Sequence, residues 1–315
     1  MKRLAYVALF FWLIAAAAGC SAVPDRQDGI LQSAYEVKDD QGSILKLPHK
    51  PKRIVSLSIG TDEVLVHLVP PERIAALTYL SDDPDISNIT EQAKRIETKV
   101  KANPEQLIAL QPDLLIVPDW QPQELIDTLR QAGIPVFVYQ APNTIDEIKG
   151  MIEKLARVLG EEDSGQNLTG AMDRELAAVK QRIDRITPER RLTVLQFTLL
   201  GAGGGAGSLF DDICRHAGVV NGAAELGKFD LMSKEQILKA NPDVLIMPMW
   251  DYTGEHDMGQ YRETILSDPG LQPVKAVKNK RLVMVPDRFQ SSASQYIVYG
   301  VRDVAKAAYP DLDWK

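Results

Sequence analysis

Cysteine is scarce in this 315-residue chain, which contains only Cys20 and Cys214. Two cysteines cannot build the disulfide framework that small exported domains use in place of a large core. Cys214 lies in the segment SLFDDICRHAG at helical spacing from Leu209 and Ile213, so we predict that it packs in a core. Apolar packing must therefore hold the fold together.

Runs of basic residues are also missing, and acidic residues outnumber basic ones by 43 to 36, for a formal net charge of −7 at pH 7. An acidic surface of this kind argues against a nucleic-acid partner and against charge-driven binding to anionic headgroups. The 45% of apolar residues suffices for two packed cores.

Signatures of catalysis are missing as well. The chain has no G-x-S-x-G elbow, no GK[ST] after a glycine-rich loop and no positioned Ser/His/Asp order. Gly201–Gly207 satisfies a relaxed dinucleotide fingerprint, but no acidic residue follows about twenty positions later at the end of a strand. We interpret this segment as a flexible loop at the rim of a binding cleft, and we predict that the protein is not an enzyme.

Histidines are few, and their spacing does not suit a metal site. His49, His67, His216 and His256 form no HxxxH or HExxH pattern. His67 lies on an apolar helix face and is predicted to pack in the core. His256, near Met258 in a polar loop, is a weaker candidate for an axial ligand to a metal that a cargo brings with it. We expect no metal and no cofactor of the protein's own.

The N-terminus indicates export. Lys2 and Arg3 precede an apolar run that stops at Gly19-Cys20-Ser21, which is typical of a signal peptide and too short for a membrane span. Small residues before a cysteine resemble a bacterial lipoprotein cleavage site, although an ordinary signal peptide is the alternative. We predict a signal peptide over residues 1–19, lipidation of Cys20 and a flexible tether over 20–34. The protein would then be extracytoplasmic, lipid-anchored at the outer face of the cell membrane or periplasmic.

One sixteen-residue string occurs twice, as EQLIALQPDLLIVPDW at 105–120 and EQILKANPDVLIMPMW at 235–250. The copies are offset by 130 positions and are identical at eight of the sixteen. This duplication indicates two lobes of like architecture, each with the same short helix, turn and buried strand. A single site between two similar lobes is the natural expectation.

Short apolar strands alternate with amphipathic helices in both halves, which is typical of a mostly parallel sheet covered by helices on both faces. We predict an N-terminal lobe over 35–160 and a C-terminal lobe over 190–315. Between them, apolar residues recur at intervals of three or four, which predicts one long helix over 163–187. Because a helical connection resists bending, we expect only modest closure of the lobes.

The order of these motifs is more specific than any one of them. PKRIVSLSIGTDEVL, NPEQLIALQPDLLIV and AGIPVFVY precede the long helix, and KEQILKANPDVLIM and KNKRLVMVP follow it. Together they resemble the substrate-binding lipoproteins of ABC importers for iron-siderophores and cobalamin, from about Tyr35 to Tyr309. The resemblance implies the class III periplasmic-binding-protein fold, with two Rossmann-like lobes joined by a helix. It further implies a monomer that delivers a chelate to an ABC permease dimer with its ATPase.

Two glutamates take their roles from this resemblance. Glu105 and Glu235 both fall at the second position of a helix, behind Asn103-Pro104 and Ser233-Lys234. In the family, glutamates at these matching positions dock into arginine pockets of the permease dimer, and paired carboxylates suit two equivalent pockets. Compensation of the helix dipole is the alternative explanation.

Aromatic residues mark the predicted cleft. Trp120 and Trp250 follow Pro118 and Pro248, which we expect to lie beyond the strands, and open α/β sheets bind ligands at that edge. Facing indoles would cover a broad ligand. The weaker candidates, at comparable strand ends or loops, are Tyr79, Tyr139, Tyr252, Arg288 and Phe289.

The cargo is the least determined feature. The predicted cleft loops are acidic, and Arg288 is their one obvious cation, although Lys99, Lys101 and Lys228 are within reach of the rim. This balance disfavours a strongly anionic triscatecholate and favours a hydroxamate iron-siderophore, with a corrinoid or haem as the alternative. An exported α/β enzyme and a receptor that has lost transport remain as more distant alternatives.

Overall fold

Residues 35–291 and 293–314 are described in the structure, which is a computed structural model of the chain. The predicted signal peptide, the lipidation site Cys20 and the tether lie outside these residues. Among the helices that are described, none combines the length and apolar character needed to cross a membrane.

The N-terminal half contains a two-stranded hairpin and a five-stranded parallel sheet. In chain order, its elements are β1 (Tyr35–Lys38), β2 (Ile44–Leu47), β3 (Ile54–Ser56), α1 (Ile59–Leu68), β4 (Ile74–Thr78), α2 (Thr90–Ala93), β5 (Lys99–Val100), α3 (Pro104–Ala109), β6 (Leu114–Pro118), α4 (Gln123–Gln131), β7 (Val136–Tyr139) and α5 (Ile145–Leu159). Strands β1 and β2 pair antiparallel, and the sheet has the order β5-β4-β3-β6-β7.

A long helix then leads to a second sheet of the same kind. The remaining elements are α6 (Glu162–Ile183), β8 (Thr193–Thr198), β9 (Gly201–Gly203), α7 (Leu209–His216), β10 (Val220–Asn221), α8 (Lys234–Ala240), β11 (Val244–Met247), α9 (Met258–Ser267), α10 (Lys275–Lys278), β12 (Leu282–Met284) and α11 (Ile297–Ala308). The order β10-β8-β11-β12 is parallel, and β9 pairs antiparallel with β8. The prediction of two similar α/β lobes is confirmed.

The duplicated string occupies the same place in both sheets. In the N-lobe, Leu114 of β6 pairs with Ile54 of β3. In the C-lobe, Val244, which is the equivalent residue 130 positions later, pairs with Val194 of β8. All residues of β6 and β11 are buried, which explains why both copies have uninterrupted apolar runs.

The helices of the two copies also begin and end alike. Asn103 caps α3 and Ser233 caps α8, each by accepting a hydrogen bond from a backbone N–H of the first turn. Beyond each helix lies a non-glycine residue in the left-handed region, Gln111 with φ 46° and Asn241 with φ 43°. These turns direct the chain straight into the buried strand.

The aspartate of the duplicated string binds this turn to the start of the first strand of the parallel sheet in each lobe, which is β3 or β8. Asp113 accepts hydrogen bonds from the backbone N–H groups of Lys52 and Arg53, at 2.7 and 2.8 Å. Asp243 accepts one from the N–H of Thr193 at 2.9 Å. The carboxylate therefore fixes where the strand pair begins in each sheet.

Replacing Asp113 by alanine is expected to lower the free energy of unfolding by about 1–2 kcal/mol, because two backbone donors lose their acceptor at a partly exposed site. Urea denaturation of the purified protein measures the change. Asp127→Ala, which removes an exposed carboxylate from α4, is the matched control. Equal stability of the two variants would contradict the assigned role.

Helix α6 packs against both lobes. It contacts α1 and α5 of the N-lobe and α7 and α11 of the C-lobe. Met172 and Val179 on its buried face join a hydrophobic core that includes residues of both sheets. At Gly165 an added Cβ would lie 2.5 Å from the Cβ of Ala156, so glycine is needed for α5 and α6 to approach this closely. The helix ends at Ile183, and the chain turns at Pro188–Arg190.

Two local predictions are wrong. The glycine-rich segment is not simply a flexible loop, because Gly201–Gly203 pair with β8 as a strand. At Gly205 an added Cβ would lie 2.4 Å from the carbonyl oxygen of Gly227, so glycine here permits contact between two backbones. Pro118 lies inside β6 as its last residue, paired with Tyr139, rather than beyond the strand; Pro248 follows β11 as expected.

Candidate functional site

The loops that follow the carboxyl ends of the parallel strands form one edge in each lobe, and the lobes meet there. We call this region the cleft edge. Two contacts cross it near β4 and β12: the Trp250 indole N–H donates to Asp83, and Arg288 donates to the carbonyl oxygen of Pro84. At the other side, the Lys228 ammonium donates to the Asn143 side chain, after β7.

In the N-lobe, the cleft edge contains a hollow of about 390 Å³. Its wall includes Ser58, Tyr79, Lys101 and Trp120, which follow β3, β4, β5 and β6 respectively. Trp120 is 62% exposed and Tyr79 is 51% exposed. Two aromatic rings left in water beside one hollow provide a surface that a ligand with apolar faces would cover.

The ring of Tyr79 also has a cation above it. The Lys101 ammonium lies 4.7 Å from the ring centroid, a geometry that is attractive because the ring face is electron-rich. Lys101 was expected only to reach the rim, and here it forms part of the wall of the hollow. Lys99 points elsewhere: its ammonium donates to the carbonyl oxygens of Ala93 and Ile96 and pairs with Asp82.

The floor beneath the hollow is polar and buried. The Tyr139 hydroxyl lies 2.9 Å from the Ser58 hydroxyl, and Asp62 accepts hydrogen bonds from the backbone N–H and the hydroxyl of Thr78. Burial raises the pKa of Tyr139 to about 12 and raises the pKa of Asp62 well above its usual range. Tyr139 lies at the end of β7, as predicted, but it is only 4% exposed, so its ring supports the hollow from below.

In the C-lobe, the loop after β11 is held by the partly buried carboxylate of Asp287. The backbone N–H groups of Met249 and Trp250 both donate to Asp287, at 2.7 Å. Burial raises the pKa of Asp287. The Trp250 ring is half-buried and lies 6.2 Å from the ring of Tyr252, which is 59% exposed. Trp250 and Tyr252 thus form an aromatic pair at the cleft edge.

The two tryptophans lie in loops after equivalent strands, but their surroundings differ. Trp120 belongs to the open hollow, whereas the indole N–H of Trp250 is bound to Asp83 of the opposite lobe at 3.2 Å. In the part of the chain that the structure describes, no ring contact joins the two indoles. A ligand that fills the cleft would therefore contact the exposed indole of Trp120 and the indole of Trp250, whose orientation is already fixed by its hydrogen bond to Asp83.

Arg288 and Phe289 have structural contacts of their own. The Arg288 guanidinium donates to the carbonyl oxygen of Pro84 at 3.0 Å and lies 5.1 Å from the centroid of the Phe289 ring. The Phe289 ring packs edge-on against Tyr299 of α11 at 5.5 Å. Arg288 therefore links the lobes through a neutral carbonyl group, and Phe289 packs on the C-lobe.

Sequence reasoning missed a group of apolar side chains at the cleft edge. Eleven large hydrophobic residues are exposed among those described, and seven of them follow the carboxyl end of a parallel strand. Those seven are Tyr79, Trp120, Leu200, Phe229, Leu231, Met249 and Tyr252. Phe229 is the most exposed, at 85%, with the Lys228 ammonium 4.7 Å above its ring. One signal in the sequence could have predicted such exposed residues. It is a single apolar residue flanked by glycine or charged residues, as in GKFD.

Glu105 and Glu235 lie on α3 and α8, at the second helical position as predicted, and both are exposed. Helices that cross over between parallel strands run antiparallel to them, so these helices begin at the cleft-edge side of each lobe. Hydrogen bonds from its own backbone N–H and from the Ser233 hydroxyl lower the pKa of Glu235. The carboxylates thus lie at equivalent positions on the two lobes.

The histidines and the free cysteine have ordinary surroundings. His67 is exposed at the end of α1, with its ring 5.9 Å from that of Tyr296, so the prediction that it lies in the core is wrong. His256 lies 3.2 Å from Asp251 in the loop after β11. Cys214 is 1% exposed and burial raises its pKa, which confirms its core position. Within residues 35–291 and 293–314, no three His, Cys, Asp or Glu side chains gather as a metal site.

This chain is similar to known binding proteins along most of its length. Residues 54–289 match the family described as periplasmic binding protein. The uncharacterized ABC transporter substrate-binding lipoprotein YvrC of Bacillus subtilis (strain 168) is 22% identical over 312 residues, which cover 93% of this chain and 93% of that protein. The vitamin B12-binding protein of Yersinia pestis (strain Pestoides F) is 28% identical over 214 residues, covering 65% and 72%.

Solved structures share the fold. The molybdate periplasmic binding protein MolA of Haemophilus influenzae, bound to molybdate, aligns with a TM-score of 0.73 at 22% identity, covering 88% of this chain and 92% of that one. At this identity the likeness concerns the fold alone. Because proteins similar to this chain are named for cargoes as different as molybdate and vitamin B12, the cargo has to be argued from the residues of the cleft edge.

Proposed function

The chain belongs to the periplasmic binding protein family, and on that premise we propose that it is the extracytoplasmic substrate-binding component of an ABC importer, capturing a metal chelate between its lobes and delivering it to the permease. The main support is the distribution of the large hydrophobic side chains that are exposed. In the part of the chain that the structure describes there are eleven of them, and seven lie at the cleft edge. A soluble protein keeps such a surface where a ligand covers it.

The charges at the cleft edge favour a chelate with little net charge, and we propose a ferric hydroxamate. The loops after β4 and β11 contain six carboxylates, against three cations at the cleft edge, which are Lys101, Lys228 and Arg288. The carboxylates are those of Asp82, Asp83, Asp85, Asp251, Glu255 and Asp257. A triscatecholate complex is strongly anionic and would need several free cations around it. An uncharged complex with apolar faces would instead use Trp120 and the aromatic pair of the C-lobe.

Attachment to the membrane completes the proposal. The signal-peptide pattern and the small residues before Cys20 support a lipid anchor on that cysteine, with residues 20–34 as the tether. Two acyl chains would hold the protein at the membrane surface beside its permease. The similar Bacillus subtilis protein is named a lipoprotein, which is consistent with this arrangement.

Trp120→Ala and Trp250→Ala are each expected to weaken binding of the cargo by about 5- to 100-fold, because each removes an indole worth about 1–3 kcal/mol of buried contact. The measurement is tryptophan-fluorescence titration of the exported domain with a ferric trihydroxamate, a ferric triscatecholate, haemin and cyanocobalamin. Saturable quenching by the trihydroxamate supports the proposed cargo, and saturation by another probe replaces it.

Trp314→Phe is the control for this titration. Trp314 lies at the C-terminus, where its indole donates to the carbonyl oxygen of Tyr309 and its ring lies 5.9 Å from the Arg182 guanidinium. The variant should keep full affinity while removing fluorescence that does not report on the cleft. If both cleft variants bind every probe as tightly as this control, the assignment of the two tryptophans is wrong.

A further inference from the structure

We infer that the protein docks on its importer through two matched patches, each a carboxylate followed one helical turn later by an exposed aliphatic side chain: Glu105 with Ile108, and Glu235 with Leu238. This inference rests on the proposed function. The docking role of Glu105 and Glu235 is the one that the family resemblance implies, and the apolar half of each patch is what the structure adds. The partner it fits is a membrane protein with two equivalent sites, each offering a cation next to an apolar recess.

The aliphatic residues are matched in position and in exposure. Ile108 and Leu238 are offset by the same 130 positions as the glutamates, and each is 37% exposed. Their neighbours Leu107 and Ile237 are buried, at 0% and 4% exposure. Each helix therefore has one apolar residue in its own core and a second that stays more than one-third exposed.

The geometry places each aliphatic residue beside its glutamate. Residues three apart in a helix lie on the same face, so Ile108 shares a face with Glu105, and Leu238 shares one with Glu235. The following position is not matched, since Ala109 corresponds to Lys239. Only four exposed large hydrophobic residues of the described chain lie away from the cleft edge, and these two are half of them.

The charge of the patches selects the kind of partner. None of the ion pairs of the described residues includes Glu105 or Glu235, and the two lysines on the helix of Glu235, Lys234 and Lys239, pair instead with Asp268 and Glu225. Both glutamates can therefore accept an outside cation. The net charge of −7 disfavours an anionic lipid surface and a second copy of this chain as the partner. A guanidinium beside an apolar recess satisfies both members of a patch, and a two-fold symmetric permease offers two such sites.

Photo-crosslinking in intact cells tests the contact. Benzoylphenylalanine replaces Ile108 in one full-length variant and Leu238 in another; the control variants carry it at Thr128 on α4 or Thr264 on α9, which are also exposed. We expect both patch variants, and neither control, to form an adduct with the permease that supports chelate uptake. Adducts with a second copy of the chain, adducts at only one patch or no adducts would overturn the inference.

A transport assay measures the contribution of the apolar residues. Ile108→Ala with Leu238→Ala is expected to reduce uptake at limiting carrier concentration by about 100-fold, about tenfold for each patch, with the affinity for the chelate unchanged. Ile108→Met with Leu238→Met, which keeps an apolar side chain of similar volume, should restore most of the uptake. Normal uptake by the alanine variant would contradict the inference alone. An unmodified protein that binds a chelate but supports no uptake would contradict the proposed function instead.

Discussion

Replacing Glu105 and Glu235 together by alanine is expected to abolish chelate uptake while leaving the affinity for the chelate unchanged. Both carboxylates are exposed on helices that flank the cleft edge, and neither belongs to the wall of the N-lobe hollow. Charge-assisted contacts between carboxylate and guanidinium are among the strongest that side chains make, so losing both should reduce docking by at least about 1000-fold.

The two halves of this prediction need separate measurements. Fluorescence titration gives the affinity for the chelate, and accumulation of the labelled chelate in cells gives uptake. Glu124→Ala with Glu263→Ala is the matched control, because it removes one exposed carboxylate from a neighbouring helix of each lobe and preserves the net charge change. Normal transport by the Glu105/Glu235 variant would show that the paired glutamates only compensate helix dipoles.

Glu63→Ala is expected to cost about 3–5 kcal/mol of unfolding free energy, the largest effect on stability that we predict, because three neutral donors lose their acceptor at about 1–3 kcal/mol each. The carboxylate has no exposure, and it accepts hydrogen bonds from the backbone and side-chain N–H groups of Asn88, both at 2.8 Å, and from the hydroxyl of Ser294. Asn88 belongs to the N-lobe and Ser294 to the C-lobe. Alanine would leave these donors buried without their acceptor and would loosen the contact between the lobes.

Urea denaturation of the exported domain measures this cost, with Glu153→Ala as the control. Glu153 is also a helical glutamate of the N-lobe, but it is exposed on α5, and its removal should change stability by less than about 0.5 kcal/mol. If Glu63→Ala unfolds at the same urea concentration as the control, the buried carboxylate does not hold the lobes together in the way its hydrogen bonds indicate.

The architecture was largely predictable because two kinds of signal agreed. Uninterrupted apolar runs such as Leu114–Val117 are typical of strands buried on both faces, and the duplication then required the second lobe to repeat the first. The duplicated string also predicted the pairing of single residues. Leu114 and Val244 are equivalent in the two copies, and each pairs with the first strand of its parallel sheet. The antiparallel strand Gly201–Gly203 was missed because glycine carries no signal of strand formation.

The residues of the site were predictable only where they directly follow the end of a strand. Trp120 and Tyr79 lie at the cleft edge because the carboxyl ends of parallel strands share one side of a sheet. The bond from Trp250 to Asp83 joins residues 167 positions apart, and no periodicity within one lobe indicates such a contact. For the same reason the surroundings of Arg288 and His67 could not be read from their neighbours in sequence.

Helix α6 affects how the chelate-bound protein (loaded carrier) and the chelate-free protein (empty carrier) compete for one importer. Because it packs on α5 and α11 within a core that spans both lobes, relative motion of the lobes requires sliding of packed helices, which is small in extent. Empty carrier would then present Glu105 and Glu235 almost as loaded carrier does and would occupy the same docking sites. Uptake would follow the loaded fraction of carrier, and surplus empty carrier would act as a competitive inhibitor of its own transporter.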